Sequence, residues 1–208
     1  MSEVVSKSRG DVLAVDLRMV AAGTGALVLT IGLSLLLANQ TGEMLTRNTV
    51  RLSLAWYSIA FCLMFCLGPA DWTASTRLGR VARWCWTLSL VTFLVHLMMA
   101  FHFYHHWSHA DAFNHTAEMS GIGEGIYVSY LFTLLWIVDV AWWWIQPLQF
   151  ATRSVWIDRT LHAFMLFIVF NGTVIYERGP IRWAALAVFA ALAIAWRLSR
   201  QAKNWQPA

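Results

Sequence analysis

Six of the seven histidines of this 208-residue chain lie between His96 and His115, in the run HLMMAFHFYHHWSHADAFNH. On a helix advancing about 100° per residue, His102, His105, His106 and His109 share an arc of about 100°. The pairs His102/His106 and His105/His109 are each four residues apart, a spacing that lets two imidazoles reach one metal ion. His102 and His109 are separated by about 10 Å along such an axis, so one ion cannot take all four. Two ions, or a donor from another helix, would be needed. His115, Asp111 and Glu118 follow closely enough to help, and Glu124 opens the next apolar run. Imidazole with carboxylate suits iron, copper, zinc or nickel. Histidines at a membrane boundary can also hydrogen-bond to headgroups, water or neighbouring loops without holding an ion.

Within this run, His102-Phe-Tyr-His105-His106 resembles the HxxHH box of membrane-bound fatty-acid desaturases and hydroxylases. Those families carry several separated histidine boxes around iron, facing the cytoplasm. Here only His162 lies outside the cluster, and the charge pattern below puts the cluster on the opposite side. The resemblance is confined to the motif, and the family's activity is not carried over.

Two further polar residues sit in apolar surroundings. His96 lies near the middle of its run, where it could serve as a single axial haem ligand. His162 lies about 10–15 Å away in depth, too far for the two to hold one haem between them. Asp139, in WIVDVAWWW, is costly: a carboxylate at the bilayer interior costs about 2.5–3.5 kcal/mol on insertion scales, so it should face protein and find a partner. His96 is one candidate partner, which would give either a buried proton relay or a polar bridge between helices.

These residues must be held by membrane helices. Hydrophobic residues make up 59% of the chain and charged residues 12%, against about 45–50% and about 25% in soluble domains. The charges cluster between apolar runs, as expected where lipid is the solvent. The pattern predicts an all-α, polytopic bundle forming a single integral membrane domain over 1–208. Its six spans fall at about 19–38, 52–67, 84–104, 126–145, 161–176 and 181–196. The last two are short for a core that asks for about 20 residues, which leaves five spans as the alternative. The third helix is expected to run on past Tyr104, because His105 to Phe113 contains no Gly or Pro. Asn114 to Gly125, with three glycines, reads as loop.

With six spans, Lys7, Arg9, Arg18, Arg77, Arg80, Arg83, Arg153, Arg159, Arg197, Arg200 and Lys203 gather on one side. Arg47, Arg51, Arg178 and Arg182 gather on the other. The positive-inside rule then puts both termini in the cytoplasm and the histidine segment on the exoplasmic side of a bacterial-type inner membrane. Trp84, Trp86 and Trp142 to Trp144 read as an interfacial belt. Cys62, Cys66 and Cys85 read as small apolar packing residues. The net charge of +4 forms no basic stripe, so nucleic acid is not an expected partner. The expected partners are the lipid bilayer and other membrane subunits. No Walker loop, dinucleotide fingerprint, nucleophile elbow or HExxH motif is present.

Two functions follow from these residues. One is a metal- or haem-binding redox or oxidase-type subunit, with iron, copper or zinc at the histidine cluster. The other is a transport or structural accessory subunit of a membrane complex, using the Asp139/His96 pair.

Overall fold

A chain crossing lipid must satisfy its backbone polar groups within each segment, and the apolar runs accordingly form helices. The computed structural model describes residues 2–37 and 41–204, with side chains described over 13–37 and 42–202. Ala38, at the end of the first expected span, and the side chains of Lys7, Arg9 and Lys203 lie outside the described residues. Among those described, the α-helices are α1 (Ser2–Leu37), α2 (Thr41–Cys66), α3 (Arg77–Phe103), α4 (His109–Ser120), α5 (Gly125–Ile145), α6 (Pro147–Ala151), α7 (Val155–Phe170) and α8 (Pro180–Asn204). Five stretches are long and apolar enough to cross a membrane: Leu13–Leu37, Gly42–Cys66, Arg77–Phe103, Gly125–Ile145 and Pro180–Ala202. The remaining expected span, 161–176, is occupied by the 16-residue α7 running on into a π-helical turn, Asn171–Ile175. In that turn the Tyr176 N–H reaches back five residues to the Asn171 carbonyl at 3.0 Å.

The chain divides into two compact units, Met1–Phe103 and Tyr104–Ala208. In the first, α2 and α3 form the closest pair. Ser53 Oγ donates to the Ser89 carbonyl and Ser89 Oγ to the Ser53 carbonyl, each at 2.8 Å. Such small polar residues let helix backbones approach closely in a membrane. A ring cluster of Tyr57, Phe61 and Trp86 fills the space beside them, with Tyr57 and Phe61 centroids 4.7 Å apart. On α1, Asp16 accepts from Trp84 Nε1 at 2.8 Å and from Arg80 Nη1 at 3.3 Å, tying α1 to α3. The turn between α2 and α3 is built on Asp71, whose carboxylate accepts from the Gly68 N–H and from the Thr76 hydroxyl.

In the second unit, α5 buries Phe132, Trp136, Asp139, Val140 and Trp143. Their spacing marks one helix face. Trp143 stacks on Phe150 of α6, with centroids 4.8 Å apart and planes 6° from parallel. Phe170 of α7 meets Phe189 of α8 edge-on at 5.3 Å. Trp143 and Trp86 are each fully buried. Both are therefore core residues rather than belt residues, because the ring stacks above claim their faces. Cys62 and Cys66 are exposed on α2, whereas Cys85 is buried as a packing residue.

Candidate functional site

The histidine segment is not one helix. α3 ends at Phe103, and His106 and Trp107 take left-handed backbone conformations, with φ of 48° and 61°. Side chains other than glycine rarely adopt that region, and an α-helix cannot pass through it. Ser108 then starts α4 as its N-cap: its backbone is extended, and its hydroxyl accepts from the Asp111 N–H at 3.2 Å. Capping satisfies an otherwise orphaned amide, which favours serine at a helix start over a helix interior. Asp111 in the first turn adds a favourable charge at the positive end of the helix. α4 continues through Asn114 to Ser120, where a loop was expected. Gly121, at φ 80°, ends it with its N–H on the Ala117 carbonyl.

This break regroups the candidate ligands. His102 stays on the last turn of α3, its ring edge-on to Phe103 at 4.7 Å. His105 meets His115 of α4 instead of His109, with ring centroids 5.3 Å apart. Tyr104 is also near His115, with ring centroids 6.2 Å apart. His106 faces Asp111, with Nδ1 3.7 Å from Oδ2. His109 sits between two phenols of α5, its Nδ1 2.9 Å from Tyr130 Oη and its Nε2 3.5 Å from Tyr127 Oη. Glu118 is exposed on α4. The arc shared by His102, His105, His106 and His109 is thus replaced by separate small groups. Among the described residues, no three His, Cys, Asp or Glu side chains converge as a set that could hold a metal ion.

His105 and His115 are the two imidazoles that come face to edge. Burial, and then the nearby His115, push the His105 pKa down; Asp111 opposes this and His106 adds to it. A lowered histidine pKa keeps the ring neutral at neutral pH, the form in which it donates a lone pair.

His96 and Asp139, read as a candidate pair, belong to different units, and each has a partner in its own. His96 Nδ1 is 2.9 Å from the Thr46 carbonyl of α2. A carbonyl only accepts, so Nδ1 carries the proton and Nε2 keeps the lone pair. An N–H anchored on a carbonyl is the usual way to orient a ligating imidazole, so this geometry suits a ligand role at Nε2.

Asp139 accepts from Arg153, whose Nη1 meets Asp139 Oδ1 while its Nη2 meets Asp158 Oδ1 on α7. Asp158 in turn lies 3.3 Å from His162 Nδ1. The guanidinium rests on the Phe150 ring, its Cζ 3.9 Å from the centroid, and Phe150 rests on Trp143. A planar fork with weak hydration suits such a buried, stacked position better than an ammonium would. Sequence reading counted Arg153 only as a topology charge. Its role as the partner of Asp139 carried no periodic signal, since α6 and a turn separate the two.

No family model, no curated protein and no solved structure matches this chain.

Proposed function

We propose that this chain is a multi-pass membrane protein that binds a transition-metal ion at an exoplasmic boundary, through His105 and His115. One observation carries the reading: two imidazoles from different elements stand with centroids 5.3 Å apart outside the apolar runs. In this reading α7 with its π-turn makes a sixth crossing, and the positive-inside rule then assigns both termini to the cytoplasm and this pair to the outside. The Lys and Arg asymmetry supports that orientation even when the buried Arg83 and Arg153 are left out of the tally.

The test is elemental analysis of detergent-purified protein after loading with iron, copper or zinc salts. Retained metal is expected in the parent protein and is expected to be lost in His105→Ala and in His115→Ala. Equal metal content in parent and variants would end the reading. A visible absorption spectrum of the same preparation tests haem at His96: a haem band lost in His96→Ala would assign it.

A second reading is favoured by the Arg153 network. A carboxylate neutralised by a fixed guanidinium is a structural pin, as in a scaffold subunit of a membrane complex. Stoichiometric co-purification of a membrane partner, unaffected by His105→Ala, would support that reading.

A further inference from the structure

The identity of the ion can be narrowed from the donors around His115, a step that rests on the metal-binding reading of the His105–His115 pair. Residues four apart on a helix are surface neighbours, with Cβ atoms about 5–6 Å apart. On α4, His115 has Asp111 one turn before it and Met119 one turn after it. One flank thus offers a hard carboxylate and the other a soft thioether.

The two flanks are not equally available. The Asp111 carboxylate is turned to a partner of its own, its Oδ2 3.7 Å from His106 Nδ1. Met119 is 56% exposed, on an unbranched side chain that can swing its sulfur over the neighbouring ring. The Met119 thioether is a donor of a different kind from the imidazole pair and adds to it.

Donor chemistry then discriminates among ions. Structural zinc is almost always four-coordinate, and calcium and magnesium require oxygen ligands in larger number. Monovalent copper is soft, selects thioether sulfur, and is content with low coordination numbers. We propose that His105, His115 and Met119 form a monovalent-copper site of two imidazole nitrogens and one thioether sulfur. Binding is simple ligand substitution: two imidazole nitrogens in their neutral form and one thioether displace solvent from the ion, and no electron moves.

Full-length protein in detergent would be titrated anaerobically with copper(I) against bicinchoninate, and with zinc(II) against a chromophoric chelator. The parent would be compared with Met119→Leu, Asp111→Asn and the His105→Ala/His115→Ala double variant. Leucine keeps the shape and exposure of residue 119 and removes only the sulfur, and circular dichroism confirms that each variant is folded. Met119→Leu is expected to weaken copper(I) binding about tenfold or more and to leave any zinc(II) binding unchanged. Asp111→Asn is expected to leave copper(I) binding unchanged. Copper K-edge absorption should show a sulfur neighbour in the parent and none in Met119→Leu. If Met119→Leu binds copper(I) as the parent does while the double histidine variant does not, the thioether proposal is overturned and the histidine pair stands. Dependence on Asp111 in place of Met119 overturns it in favour of a divalent ion. If no ion binds in a histidine-dependent way, both readings fall.

Discussion

The guanidinium of Arg153 donates through Nη1 to Oδ1 of Asp139, and the two side chains are 4% and 2% exposed. Exposure this low puts the pair in the buried class, where losing one member strands the other. Breaking such a pair costs about 3–5 kcal/mol, whereas replacing both members with apolar residues of similar volume is often neutral. Arg153→Met should therefore destabilise the protein by about that amount. Arg153→Met combined with Asp139→Leu should recover most of the loss. Thermal unfolding in detergent checks both. Equal melting temperatures for the single and double variants would contradict the assignment.

Asp158 makes the outer end of the same network sensitive to acid. Burial alone would raise its pKa. The hydrogen bond and charge of His162, with the charge and hydrogen bond of Arg153, outweigh burial and hold it at about 2. That lies below the ordinary aspartate value of about 3.9, so the folded form binds the proton more weakly than the unfolded form. The contribution is fully present above about pH 4 and is lost as pH falls toward about 2. The stability gap between the parent and Asp158→Asn should close over that window. Unfolding measured at a series of pH values tests this, and a gap that widens on acidification would refute it.

The break after Phe103 makes a prediction of sign. His106 has a φ of 48° and a side chain 77% exposed. Glycine there relieves a left-handed strain of about 1–2 kcal/mol and gives back about 0.5–1 kcal/mol in unfolded-state entropy. His106→Gly should be neutral or slightly stabilising. In an unbroken helix the same substitution would be destabilising, by about 0.3–0.5 kcal/mol. Chemical denaturation distinguishes the two.

Gly79 offers a steric test of the turn between α2 and α3. A Cβ there would lie 1.9 Å from the Asp71 carbonyl oxygen and 2.7 Å from its carbon, both backbone atoms with little room to move. Gly79→Ala should destabilise by about 1–3 kcal/mol or more. Gly25→Ala meets nothing within 4 Å and should be tolerated. Melting temperatures of the two variants give the comparison.

The contrast between what sequence reveals and what it hides is local. The run around Asp139 was legible because composition and length decide whether a segment is a membrane helix; α5 begins and ends within a residue of its expected span. The end of α3 was not, because the usual stop signals are Gly and Pro and neither stands between His105 and Phe113. The signal that was present is Ser108 followed three residues later by Asp111, a helix-start signature. Reading it would have moved His109 and His115 onto a new helix and dissolved the four-histidine arc. Asn114 to Ser120 reads as loop only because Gly121, Gly123 and Gly125 follow it so closely; Gly121 alone ends the helix. Arg153 was hidden for a different reason. Pairing across an intervening helix is tertiary, and a charge tally sees only the sign of a residue.

The reciprocal bonds between Ser53 and Ser89 have a consequence for the end of the histidine segment that lies on α3. Each hydroxyl is spent on the other residue's carbonyl, so a slip of one residue between the two helices would forfeit both bonds at once. The pair is an index mark that admits one alignment. From that mark, about four turns up α3, the height of Phe103 against Gly42 is set, where the phenyl ring fills the space a methyl group would otherwise claim. Two hydroxyls deep in the helix pair thereby fix how far along α2 the end of α3 reaches.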